Sequence, residues 1–106
     1  MPLPPSLTPE QRAAALAKAA EARKARAEIK ERLKMGSISL GKLLDDAESD
    51  EIIGKMKVLA VLESLPGIGK VKARRIMEQV GIAESRRVQG LGALQRRRLI
   101  EETDHH

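Results

Sequence analysis

Leu65-Pro66-Gly67-Ile68-Gly69-Lys70 is the stretch that decides how this chain is read. Before it, Ile52, Met56, Leu59 and Leu62 recur at helical spacing; after it, Val71, Ala73, Ile76, Met77 and Val80 do the same. The pair Gly67 and Gly69 is compatible with several phosphate loops, and two of them fail on residues. A dinucleotide fingerprint needs a third glycine where Lys72 stands and a strand before the turn. A P-loop needs glycine in place of Ser64 and a hydroxyl residue in place of Val71. What survives is helix, hairpin, helix, with Gly67 and Gly69 both able to take positive φ and Ile68 as the apolar wedge that shuts the hairpin. Glycines let a phosphate approach the backbone, and the N–H groups that open the second helix have no intrahelical partner and sit at its positive dipole end. Lys70 adds a full charge. An ordinary tight turn between helices needs one glycine and no lysine.

Outward from the hairpin, Gly81-Ile82 ends the second helix as a glycine cap, with Lys72, Arg74 and Arg75 on its outer positions. A polar connection through Arg86, Arg87 and Gln89 leads to a last helix at about 93–102 carrying Arg96, Arg97 and Arg98, whose successive side chains cannot all face one ligand. On the other side, the 51–64 segment is interrupted at Gly54, which divides it into two short helices. Ser39 caps a short helix at about 40–46. The acids Asp45, Asp46, Glu48, Asp50 and Glu51 do not follow a calcium-loop order, and Ser49 or Asp50 is better read as the cap of the helix beginning near Ile52. Near the start, Thr8-Pro9-Glu10-Gln11 is a capping box with Pro at the first helical position. It opens a helix over 9–35 rich in Ala, Glu, Lys and Arg. Its apolar stripe of Ala22, Ala25, Ile29 and Leu33 predicts docking by the second half only, while Arg23, Arg26, Lys30 and Lys34 share another face. No period of two survives anywhere, so the fold class is all-α.

The 106 residues suit one small domain, and with no Phe, Trp, Tyr or Cys its core must be built from Leu, Ile, Val, Met and Ala. Aromatic stacking on nucleobases is excluded, as are disulfides and thiolate metal sites. The net charge of +5 is segregated: residues 12–34 carry +5, residues 35–65 carry −3 and residues 66–98 carry +7. Two basic lobes around an acidic middle point to a polyanion. Catalysis on nucleic acid would need a base-flipping pocket or metal ligands, and the acids lie away from the basic hairpin, so no enzyme is expected. No cofactor or metal site is expected either, and His105-His106 makes a poor one. The chain shows neither a leader pattern nor an apolar run of membrane length, so the expectation is a cytoplasmic protein with no membrane association.

These residues also carry a family resemblance. Leu65 to Lys70, Ala73-Arg74-Arg75-Ile76, Gly81-Ile82, the run Ser85 to Gly92 and Gln95-Arg96-Arg97 resemble the actinobacterial integration host factor family, as do Leu7 to Ala15 and Asp50 to Val58. The resemblance spans nearly the whole chain. It implies a long N-terminal helix over 9–35 followed by a compact helix-two-turns-helix domain over 36–102, with disordered ends at 1–8 and 103–106. Members of that family are nucleoid-associated proteins that bind duplex DNA with little sequence preference, shape the chromosome and assist phage integrases or related recombinases; they are unrelated to the β-arm heterodimers of the same name. The expectation is a protein that is monomeric in solution and resides on the nucleoid. By position, the resemblance assigns phosphate contacts to Pro66, Gly67, Gly69 and Lys70 and a second patch to Arg86 and Arg87, with Gln89 where relatives often carry a cation. Lys72 and Arg74 add field, and Arg23, Arg26, Lys30 and Lys34 are candidates for a second DNA contact. The same module and charge also suit RNA or the ribosome, the alternative reading.

Overall fold

The computed structural model describes residues 8–104; of the ends expected to be disordered, 1–8 and 103–106, residues 1–7 and 105–106 lie outside the described residues. Six α-helices account for most of the chain: α1 (Pro9–Lys34), α2 (Leu40–Asp46), α3 (Glu51–Lys55), α4 (Val58–Ser64), α5 (Lys70–Val80) and α6 (Ala93–Thr103), with a single 3-10 turn at Val88–Gly90 before α6. Among the described residues there is no strand, only an isolated antiparallel bridge between Lys57 and Arg87.

Local signals start and stop most of these helices. Thr8 is ordered as the α1 cap: its hydroxyl accepts from the Gln11 N–H at 3.1 Å, and the Gln11 amide oxygen accepts from the Thr8 N–H at 3.0 Å. Ser39 caps α2, and the Asp50 carboxylate caps α3 by accepting from both Ile52 and Ile53 N–H. Gly81, at φ 84°, closes α5 with the Ile82 N–H reaching back to the Met77 carbonyl at 2.8 Å. At the far end Thr103 is helical rather than frayed, its hydroxyl turned back onto the Leu99 and Ile100 carbonyls.

One expected boundary moves. Gly54 lies inside α3, and the break between α3 and α4 falls at Met56 and Lys57, which are extended. The cause is a pairing at long range. The Val58 N–H donates to the Arg86 carbonyl at 3.0 Å and the Val88 N–H to the Met56 carbonyl at 2.9 Å, so residues 56–58 spend their hydrogen bonds on the segment before α6 instead of on a helix. Gly54 serves packing: a Cβ there would meet the Ala47 carbonyl and the Gln89 side chain at 3.3 Å.

The core is entirely aliphatic and sulfur-containing, with Leu33, Leu43, Val61, Leu62, Met77 and Leu99 fully enclosed and no polar or charged residue buried among the described residues. Helix α4 sits between α1 and α5, and α6 closes over α5 and α2. Helix α1 docks through its second half, as its stripe predicts: Leu33 is enclosed and Ala22, Ala25 and Ile29 are half-buried, whereas residues 9–21 are exposed throughout. The 26 residues of α1 span about 39 Å at 1.5 Å each, which draws the molecule out to 51 × 33 × 26 Å.

Candidate nucleic-acid interface

The hairpin between α4 and α5 is a type II turn. Pro66 and Gly67 occupy its central positions, Gly67 has φ 77°, and the Ile68 N–H donates to the Leu65 carbonyl at 3.2 Å. Ile68 is 4% exposed and anchors the loop to the core, while Pro66, Gly67, Gly69 and Lys70 are all at the surface. The two glycines are not equivalent. Only Gly67 has positive φ; Gly69, at φ −92° and ψ −175°, is in extended backbone that any residue adopts. What Gly69 provides is the absence of a side chain. As the N-cap of α5 it makes no side-chain cap, so the N–H groups of Lys70, Val71 and Lys72 open onto solvent without a partner among the described residues, and a Cβ at Gly69 would meet nothing within 4 Å. Bare donors, the positive end of an eleven-residue helix and the exposed side chain of its first residue, Lys70, therefore belong to the same open end of α5.

Beside the hairpin runs α1. Lys30 and Lys34 share with Glu63 to Ile68 a cleft of about 690 Å³, which also holds Glu31. Arg26 and Lys30 face a second cleft with Lys55, Met56, Lys57 and Ala60. Helices α1 and α4 thus run in the same direction, and the basic face of α1 fringes α4 from its first residue to the hairpin. Arg23 lines neither cleft.

The second patch is held by backbone. The bridge to Lys57 fixes Arg87 where α4 begins, about 10 Å from the hairpin over the seven residues of α4. Arg86, the other half of the pair, folds over its own turn and donates from Nη1 to the Gly90 carbonyl at 2.6 Å. The remaining expected residues are separated from the hairpin surface to different degrees. Lys72 is half-buried. Arg74 is ion-paired through Nε to Glu84 at 3.2 Å. Gln89 packs against Gly54 and lies in a cleft with Leu44, Ala47, Glu48 and Arg96, so the structure does not bring it to the hairpin.

The five clustered acids all have structural partners. Asp45 and Glu48 hold Arg96 at 3.2 and 3.1 Å, tying α2 to α6; Asp46 pairs with Lys42; Asp50 caps α3; and Glu51 pairs with Lys55 at 2.7 Å. The Lys55 ammonium, by hydrogen bond and by charge, holds the Glu51 carboxyl below the usual glutamate range. Arg98, though exposed, donates to the Gln79 carbonyl, which leaves Arg97 as the member of the triplet with no side-chain partner among the described residues. The residue that reading the sequence missed is Lys57. Its signal was absent because its neighbour Arg87 is 30 positions away and only the bridge brings them together.

Among the described residues no helix is long and apolar enough to cross a membrane. Residues 33–103 match the S13-like H2TH domain family, which defines the class as helix-two-turns-helix. Curated relatives named integration host factor match over almost their full length: 60% identity over 100 residues in Mycolicibacterium smegmatis, covering 94% of this chain and 95% of the relative, and 62% over 97 residues in Mycobacterium tuberculosis, covering 92% of each. The Streptomyces coelicolor relative is 62% identical over 95 residues, covering 90% of this chain and 88% of its own. A solved structure described as sIHF bound to an 8bp palindromic DNA superposes with TM-score 0.79 at 55% identity, over 81% of this chain and 97% of that one. The chain belongs to the integration host factor family of Mycobacterium and Streptomyces, carried on an S13-like H2TH domain.

Proposed function

We propose that this protein binds double-stranded DNA through the phosphate backbone, with little sequence preference, and acts as an architectural protein that organises or bends the chromosome and assists site-specific recombination. The observation that carries the reading is the hairpin: unpartnered N–H groups of Lys70, Val71 and Lys72, an open approach over Gly69 and the Lys70 charge, all at the open end of α5. The family relationship, with a DNA-bound relative of similar fold, supports DNA as the polyanion. Pro66, Gly67, Gly69 and Lys70 hold one phosphate and Arg87 another, while Arg86 orders the turn that presents Arg87. Lys72 and Arg74 contribute field, and Gln89 contributes packing at the edge of the patch. Contacts of this kind set position and orientation and carry no base sequence.

Arg26, Lys30 and Lys34 extend the same surface along α1, whereas Arg23 belongs to the exposed arm and is the candidate for a separate duplex contact. The protein works as a monomer on the nucleoid, without cofactor, and a recombinase joins it by sharing DNA.

The test is a salt-resolved binding titration of duplex DNA with wild type, Lys70→Ala and the double variant Arg86→Ala/Arg87→Ala. Both variants are expected to weaken binding across unrelated sequences and to flatten the salt dependence. Binding that is unchanged in both would remove this surface from the mechanism. The S13-like character of the domain gives RNA a specific claim as the second reading. Affinity for structured RNA above that for duplex DNA at equal salt would favour it.

A further inference from the structure

The bridge between Lys57 and Arg87 has an unusual electrostatic content. Its hydrogen bonds run from Val58 N–H to the Arg86 carbonyl and from Val88 N–H to the Met56 carbonyl, so they flank the pair and do not join it. Lys57 and Arg87 are therefore a non-hydrogen-bonded antiparallel pair, the closer of the two kinds, with Cα atoms about 4.5 Å apart and side chains on the same face. Like charges directly opposite in this geometry repel and destabilise the fold. Nothing nearby relieves them: both side chains are exposed, and neither has a carboxylate in ion-pair reach among the described residues. The adjoining cleft of about 230 Å³ makes the imbalance greater, because its lining of Arg26, Lys30, Lys55, Met56, Lys57 and Ala60 contains four cations and no acid. Of these, Lys55 alone has an ion-pair partner among the described residues, Glu51.

A repulsive pair held rigidly by backbone is a preorganised anion site. The bridge sets both side chains on one face from neighbouring backbone positions, so their charged ends can reach a single anion, and that anion relieves the repulsion between them. A planar guanidinium and a compact ammonium side by side fit the two non-bridging oxygens of one phosphodiester, Arg87 as a fork and Lys57 as a point charge. We propose that Lys57 and Arg87 form a two-cation clamp for a single backbone phosphate of duplex DNA, with Arg26 and Lys30 of α1 as its far wall. The clamp rests on the reading of the protein as a duplex-DNA binder and adds Lys57 to the phosphate contact of Arg87, at the opposite end of α4 from the hairpin. It joins the hairpin, the second patch and α1 into one surface.

The clamp makes an unusual demand on a variant: losing one cation must weaken DNA binding without weakening the fold. Thermal unfolding of the full chain and salt-resolved titration of a short duplex between about 50 and 200 mM salt, on wild type, Lys57→Gln and Lys70→Ala, test it. For Lys57→Gln the melting temperature is expected to hold or rise as the repulsion is relieved. Affinity is expected to fall about eightfold at 0.1 M salt, with the log–log slope shallower by about one unit. Unchanged affinity overturns the clamp, and so does a fall in affinity accompanied by a lower melting temperature, which would make Lys57 merely structural. If Lys70→Ala weakens binding and Lys57→Gln does not, the clamp alone fails. If wild type does not bind duplex DNA at all, the underlying reading fails with it.

Discussion

Gly67 and Gly69 differ by two positions and by everything that matters physically. Gly67 needs positive φ, so Gly67→Ala forces an L residue into the left-handed region and is expected to cost about 1–2 kcal/mol in urea unfolding, although its Cβ would meet no neighbour. Gly69 has ordinary extended backbone and open space. Gly69→Ala is therefore expected to change stability by no more than about 1 kcal/mol, the entropy lost by the unfolded chain being set against a poorer N-cap, while the added methyl narrows the open approach to the loop and weakens DNA binding. The two alanines should separate cleanly, one reading out in unfolding and the other in DNA titration. Ile68 couples the hairpin to the core, and Ile68→Val is expected to cost about 0.5–1.5 kcal/mol as a buried methyl group is lost.

At the level of elements, charge is used to hold short helices together. Helix α3 is only five residues long, and the Asp50 cap and the Glu51–Lys55 pair one turn apart compensate for it. Because Lys55 lowers the folded-state pKa of Glu51, the pair contributes stability above the ordinary glutamate range, and that contribution is lost as pH falls through the depressed value. Lys55→Met is expected to move the Glu51 titration midpoint upward toward its ordinary value, which an NMR titration of the side-chain carboxyl detects. Arg96 ties α6 to α2 through Asp45 and Glu48, two carboxylates that are three-quarters exposed. Solvent and salt screen such a clasp, so Arg96→Ala is expected to cost no more than about 1 kcal/mol, and less at high ionic strength. The four-residue spacing of Glu51 and Lys55 is visible in the sequence, whereas the Arg96 clasp is not. The acids read only as a cluster, and the partner of Asp45 and Glu48 lies some 50 residues away.

For the whole molecule, the arrangement of basic lobes becomes one surface. Helix α1 lies along α4 and brings Arg26, Lys30 and Lys34 beside the hairpin and beside Lys57. With about six cations engaged, the log–log salt slope of duplex binding is expected near −5. The free half of α1 has a separate fate. Residues 9–21 are exposed, whereas Leu33 is fully buried, so a chain shortened to begin at Glu21 is expected to keep its melting temperature, while one shortened to begin at Met35 loses core packing. If Arg23→Ala in the full chain compacts DNA as well as wild type, the separate contact proposed for Arg23 is absent.

The sequence by itself determined what depends on neighbours within a turn or two. Helix caps at Thr8, Ser39, Asp50 and Gly81, the aliphatic stripes, the hairpin with its buried Ile68 and the basic composition of both lobes all follow from local backbone chemistry and periodicity. Tertiary structure alone decided where α3 ends, why Gly54 is small, which glycine of the hairpin needs its backbone freedom, and which cations are committed to partners. Each of these depends on atoms distant in the chain. The pairing of residues 56–58 with 86–88 ends a helix that local pattern would carry on, and in the same step sets Lys57 against Arg87, turning two scattered charges into one site.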